Sequence, residues 1–127
     1  MYTGQDIRVT LQADADLSAY QYRVVRVSGS NLCNIASLAT VDDAIGVLLN
    51  NTASAAGLAC EVAVGGVTKV YAGASAITAG VKLTHDSSGF AILATSGTLI
   101  LGTALASVDA YNTLPIILQP YFSGNAA

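Results

Sequence analysis

The sequence predicts an all-β fold, a small single-domain β-barrel or β-sandwich built from two related β units, with an extended N-terminal arm. Three observations predict it. Short runs rich in Val, Ile, Leu and Thr recur along the 127 residues, and Gly, Ser and Asn clusters interrupt them about every eight to twelve residues, as in sandwiches and barrels. Helical apolar stripes of useful length are missing, since Ala53 to Leu58 and Ala104 to Ala110 each suffice for about one turn. The second half of the chain also repeats the grammar of the first.

Residues 1–12 alternate, with Ile7, Val9 and Leu11 on one side and Arg8, Thr10 and Gln12 on the other, the period of a half-buried strand. They form the arm. The β domain covers 13–122, and 123–127 is a loose polar tail. After the polar Ala13-Asp14-Ala15-Asp16 break, the run Val24-Val25-Arg26-Val27, the turn Ser28-Gly29-Ser30-Asn31 and the strand from Leu32 read as a hairpin. Gly65-Gly66 reads as a turn or bulge followed by a strand through Tyr71, and 72–80 as a small-residue connection. Gly80 to Thr84, the turn His85-Asp86-Ser87-Ser88-Gly89 and Phe90 to Leu93 repeat the hairpin, so the pseudo-repeat spans about 20–64 and 80–120. Ile45-Gly46 matches Leu101-Gly102, Leu49 matches Leu105, Leu58 matches Leu114 and Val62 matches Leu118, each 56 positions apart (101 − 45). An Ala-Thr step precedes both copies, at Ala39-Thr40 and Ala94-Thr95. Pro115 lacks an amide, which places the last strand at an edge or a bulge.

Composition excludes several functions. Of all residues 53% are hydrophobic and only 10% are charged, against about 25% in ordinary soluble proteins, which suggests an exterior largely covered by partners. Net charge is −3, and Arg8, Arg23, Arg26, Lys69 and Lys82 are scattered, so no basic face exists for nucleic acid. The N-terminus lacks the basic start and apolar run of a secretory signal, so the protein is expected to remain in the cytoplasm where it is made. The uncharged stretch from Phe90 to Val108 is interrupted by Thr95-Ser96-Gly97, and its counterpart contains Asp42 and Asp43, so a strand reading is preferred to a membrane span. Cys33 and Cys60 sit in apolar contexts and read as buried small hydrophobes.

Candidate chemistry is sparse. His85 lies beside Asp86 and near Ser87 and Ser88, but neighbours in a tight turn point apart, so a solvent-exposed turn is expected rather than a triad. Glu61, the sole glutamate, should point outward from a strand, and Asp42-Asp43 lack the further oxygen ligands calcium needs. No catalytic residue, cofactor, metal or small-molecule substrate is expected. Tyr2, Tyr20, Tyr22, Tyr71, Tyr111 and Tyr121 outnumber the phenylalanines, and tyrosine suits an interface because its ring buries while its hydroxyl stays wet.

The segments 16–25 (Asp-Leu-Ser-Ala-Tyr-Gln-Tyr-Arg-Val-Val), 43–48 (Asp-Ala-Ile-Gly-Val-Leu), 61–70, Ala76-Ile77-Thr78-Ala79-Gly80 with Leu83-Thr84, and 100–105 before a terminal aliphatic strand resemble, in order and spacing, the capsid decoration or cement proteins of tailed bacteriophages. The resemblance covers nearly all of the chain beyond residue 15, although Val81 stands where such proteins usually carry an acidic residue. It implies a compact β domain, often a homotrimer, on the outer surface of the virion capsid, bridging major capsid protein subunits and stabilising the mature head. On that reading Tyr2, Ile7, Val9 and Leu11 of the arm, and Tyr121 and Phe122 before the tail, are the candidate partner-binding residues. Two rivals remain: another virion part such as a head-fibre base, tail tube or minor spike, or a small ligand-binding or hydrolytic barrel.

Overall fold

A computed structural model of the chain describes residues 6–36, 44–95 and 98–122, with the backbone alone for 120–122. Among the described residues every regular element is a strand: β1 (Asp6–Ala13), β2 (Val24–Gly29), β3 (Leu32–Ile35), β4 (Ala44–Leu48), β5 (Ala59–Tyr71), β6 (Lys82–His85), β7 (Ala91–Leu93), β8 (Leu99–Ala104) and β9 (Thr113–Phe122). They form one sheet in the order β1-β3-β2-β4-β5-β9-β8-β6-β7, and an additional β1–β5 pairing closes the first five strands into a barrel. The fold is therefore all-β and includes a closed barrel.

The thirteen-residue β5 ties the molecule together. Its first part pairs with β1 and β4, and its second part, from Gly66 to Tyr71, pairs with β9. Between them the register slips, because Ile7 faces Gly65 while Arg8 faces Ala63. The Gly65-Gly66 bulge read from the sequence lies there, and Gly66 takes a φ of 80° that suits glycine.

β2 pairs with β3 and β4, and β4 with β5; the same series recurs as β6 with β7 and β8, and β8 with β9. Gly46 and Gly102 hold matching places in it, since a Cβ on either would run into the carbonyl oxygen of the next strand, Ala63 or Ile117. The closing strands match at a different spacing from the one expected. Val47 faces Ala63 and Thr103 faces Ile117, so the paired strands correspond 54 positions apart (117 − 63), and the pairings of Leu58 with Leu114 and of Val62 with Leu118 are each two residues off.

Two cores result. Leu48, Val62, Cys33 and Cys60 fill the barrel, while Val47, Ala63, Leu83, Leu101 and Leu118 pack between the barrel and the remaining strands. Adjacent residues Val24 and Val25, Val47 and Leu48, and Val62 and Ala63 divide between the two cores, so β2, β4 and β5 are buried on both faces. The scarcity of charge thus has an internal cause beside any covered exterior.

Pro115 corrects a second expectation. β9 is an inner strand, flanked by β5 and β8. Pro115 is tolerated because its nitrogen points to the β8 side one residue beyond the last pair, Ala104 with Ile116, where its own carbonyl accepts from the Leu105 amide at 3.0 Å.

Candidate partner-binding surface

β1 is a barrel strand along its described length, antiparallel to β5 and meeting β3 in parallel at Gln12 and Ala13. Exposure falls along its inward side: Val9 is 40% exposed, Leu11 half-buried and Ala13 fully buried, and beyond the register slip Ile7 is 63% exposed. The apolar side therefore runs from the barrel interior out to its mouth. Ala13 donates to Leu58 on the β5 side and Gln12 donates to Asn31 on the opposite side. By alternation the amides of Arg8 and Thr10 point away from β5, toward an edge where the described residues supply no partner. Exposed polar contacts fix the outer side, with Arg8 Nε 3.1 Å from Asp6 and the Thr10 hydroxyl donating to Glu61 at 2.9 Å. Glu61 thus points out of the barrel, as expected.

Of the other candidates, Tyr2 lies outside the described residues, as do Ala39-Thr40, Asp42-Asp43, Ser96-Gly97 and the tail. Tyr121 and Phe122 belong to β9, paired with Ile100 and Leu99. The structure does not describe their side chains.

A second surface was not singled out from the sequence. Every aromatic side chain among the described residues gathers where the barrel meets the hairpin β6–β7. Tyr22 packs on Tyr71 (ring centroids 6.4 Å apart), Tyr71 on Phe90 (6.5 Å) and Phe90 on Tyr111 (5.5 Å). The Arg23 guanidinium lies 3.8 Å from the Phe90 centroid and 5.1 Å from that of Tyr20, and donates to the Ser88 carbonyl at 3.0 Å. Tyr22 and Tyr111 reach this cluster from left-handed backbone, with φ of 65° and 58°, which costs about 1–2 kcal/mol for a residue with a Cβ. The sequence offers the tyrosines but not their convergence, which depends on how loop and turn meet. Beside the cluster runs a groove of about 550 Å³ lined by Asp16, Tyr20, Arg23, Asn34 and Ser88 among others. At its rim the Ser18 hydroxyl and amide hold the Asp16 carboxyl below the usual carboxylate range.

Nothing in this surface assembles an acid–base pair with a nucleophile. His85 is fully buried at the end of β6, which corrects the expected exposed position. Its Nδ1 lies 3.0 Å from the Asp86 backbone carbonyl, while the Asp86 carboxylate accepts from the Ser88 and Phe90 amides and shapes the turn. The turn runs from Asp86 to Gly89 as read, but His85 belongs to β6 and its side chain lies inside. Cys33 and Cys60 are free and buried. Burial, with Cys60 alongside, pushes the Cys33 thiol up to about 12. No group of three His, Cys, Asp or Glu side chains is placed to hold a metal ion among the described residues, and no helix among them is long and apolar enough to cross a membrane.

The model of the phage cement protein family matches residues 1–118. The chain belongs to this family. As a cement-family member it is a phage structural protein, associated with the virion capsid. No curated protein matches it. Among solved structures, it is similar in fold to the head fiber gp8.5 N base of bacteriophage phi29, with a TM-score of 0.68 and 17% identity, over 89% of this chain and 93% of that one.

Proposed function

We propose that the protein decorates the outer surface of a tailed-phage capsid, where it binds the major capsid protein and bridges neighbouring subunits so that the mature head resists opening. The family match over residues 1–118 carries the reading. In it the protein acts by binding alone, without catalysis. The open edge of β1 supplies one foot, with Ile7, Val9 and Leu11 at the barrel mouth and the Arg8 and Thr10 amides available to a strand of the coat protein. Tyr2 and the Tyr121-Phe122 end of β9 are further contacts in this proposal. If the protein acts as a homotrimer, several feet engage at once and modest contacts add to a persistent attachment.

Mixing purified protein with mature shells that lack it, followed by cryo-electron microscopy, tests the proposal. Density is expected on the head exterior, across coat-subunit boundaries; density confined to the tail, or none, would overturn it. The fold likeness to a head fiber base favours a second reading, the foot of a fibre. Density continuing outward from the domain would select it.

We also read the chain as two related β units sharing β5. Matching hydrogen bonds support this. Ala13 donates to Leu58 and Ala72 to Asn112; Asp14 to Cys33 and Gly73 to Ala91; Leu17 to Ala53 and Ile77 to Val108; Leu49 to Glu61 and Leu105 to Pro115. In this reading β1 and the second half of β5 are counterparts. Each runs antiparallel to the last strand of its unit and meets a hairpin strand in parallel, at Ala13 with Cys33 and at Ala72 with Ala91.

A further inference from the structure

Two depressions meet beside the turn Asp86 to Gly89. One is the groove that runs past Asp16, Tyr20 and Ser88. The other is a smaller hollow of about 260 Å³ lined by Ala19, Arg23, Tyr71, Phe90 and Tyr111. Both are lined by Arg23 and Phe90, so they make one trough. The backbone around it is spent internally: the Ile35 amide donates to the Asn34 side-chain carbonyl at 2.8 Å, the Ser88 and Phe90 amides donate to Asp86, and the Ser88 carbonyl accepts from Arg23. Its open polar groups belong to side chains. Asp16 uses one carboxylate oxygen, Oδ1, to accept from Ser18, which leaves Oδ2 free. The Tyr20 hydroxyl, the Asn34 amide nitrogen and the Ser87 and Ser88 hydroxyls have no hydrogen-bond partner among the described residues.

A second observation points outward from the fold. Tyr111 is 57% exposed yet sits on left-handed backbone with a φ of 58°. Strain of this kind gathers at ligand clamps, and a ring that stays in solvent returns little of its cost by burial. The chemistry of the trough narrows the ligand. Asp16 contributes one negative charge and Arg23 one positive charge, no ion pair joins them, and the chain as a whole carries −3, which disfavours a polyanion. A peptide engages an open strand edge through its backbone, and no such edge lines the trough. What matches is an uncharged molecule with apolar faces and hydroxyls around its rim.

We propose that this trough binds a neutral oligosaccharide of pyranose units. The C–H faces of its rings pack on Tyr20 and Tyr111, whose hydroxyls stay wet, and its hydroxyls donate to the free Asp16 oxygen and accept from the Asn34 amide. The site binds without cleaving, because Asp16 is the only carboxylate that lines it and glycoside hydrolysis needs a pair. The site itself does not depend on the capsid role. On a decorated shell, many weak sites of this kind would add to adhesion of the particle to a glycan-covered surface.

The test titrates the full-length, isotope-labelled protein with cellohexaose, maltohexaose and chitohexaose, and with a heparin-derived hexasaccharide as the anionic counterpart, and follows backbone amide shifts by NMR. At least one neutral hexasaccharide is expected to give saturable shifts confined to residues 16–23, 34–35, 87–90 and 111. Tyr20→Ala and Asp16→Asn are each expected to weaken that binding about tenfold. The Asp16 carboxylate is fully exposed and its replacement is nearly isosteric, so Asp16→Asn keeps the test valid if loss of the Tyr20 ring disturbs the fold. Binding by none of the neutral sugars, binding by the heparin fragment alone, shifts centred on β1, or unweakened binding by Asp16→Asn would each overturn the proposal. No shell takes part, so none of these results bears on capsid attachment.

Discussion

β1 and the second half of β5 occupy comparable positions in the sheet, yet one is covered and the other open. Along Gly66–Tyr71 the strand is held by β9, and at its end the Tyr71 amide donates to Tyr22 while the Tyr22 ring packs on Tyr71. β1 has its ladder to β5 but no such loop over Arg8 and Thr10. The covering loop around Tyr22 comes from the polypeptide between β1 and β2, and among the described residues no segment takes that place beside Arg8 and Thr10. An edge that the fold covers once and leaves bare once is the edge available to a partner.

Breaking the covered side should give the largest effect. Gly89→Ala introduces a Cβ against the Val24 carbonyl and Ile35 and places a non-glycine residue at a φ of 79°. A loss of about 3 kcal/mol is expected, read as a lowered urea midpoint with an unchanged slope. An unchanged midpoint would mean that the hairpin tip does not dock on the barrel, and the contrast with β1 would vanish.

The open side calls for a substitution that spares the ladder. Deleting residues 1–12 would remove a barrel strand, so it cannot separate binding from folding. Thr10→Pro removes one outward amide at an edge position, where proline is tolerated. It should weaken shell binding about tenfold, roughly 1.4 kcal/mol, while the protein still melts cooperatively. Equal shell occupancy by the variant and the wild type would rule out strand addition at β1.

Much of this contrast lies beyond the reach of a sequence. The alternation of Ile7, Val9 and Leu11 reveals a strand but not whether its outer edge is paired. Likewise the run Val24-Val25 reads as apolar in either case, and burial on two faces emerges only once barrel and second sheet meet. The bulge at Gly65-Gly66 and the turn at Asp86 to Gly89 are legible because glycine and aspartate chemistry is local. The burial of His85 and the convergence of the aromatic rings are tertiary, and no local pattern encodes them. Pro115 misleads for a related reason: the rule concerns the amide's direction, and β8 happens to end before it would be needed.

A smaller effect asks why the covering loop carries a tyrosine. Gly80 has a φ of 92° and donates to Ala104 as Tyr22 donates to Leu48, so glycine serves the same backbone role ahead of β6. Tyr22→Gly relieves the left-handed strain but removes a ring that touches Tyr71 and lies 5.9 Å from the Lys69 ammonium. Ring contact should outweigh strain, with a net loss of about 1 kcal/mol in chemical denaturation. A more stable variant would imply that the ring is kept for an external partner rather than for the fold.

The smallest effect concerns whether β1 remains seated in the free protein. Ala13 and Leu11 pack with Cys33 and Cys60, so a seated β1 shields both thiols. Labelling with a soluble thiol reagent should then proceed no faster than unfolding of the whole barrel, whereas rapid labelling at neutral pH would show that β1 peels away alone. The raised Cys33 thiol adds a pH signature. The folded state keeps a proton that the unfolded chain releases from its ordinary value of 9.0 upward, so the contribution is fully present below pH 9 and falls as pH rises from 9 toward 12. Cys33→Ala should remove that part of the alkaline loss, seen as a shallower decline of the urea midpoint with pH. An identical decline in the variant would place Cys33 in contact with water, which a closed barrel with β1 in place does not allow.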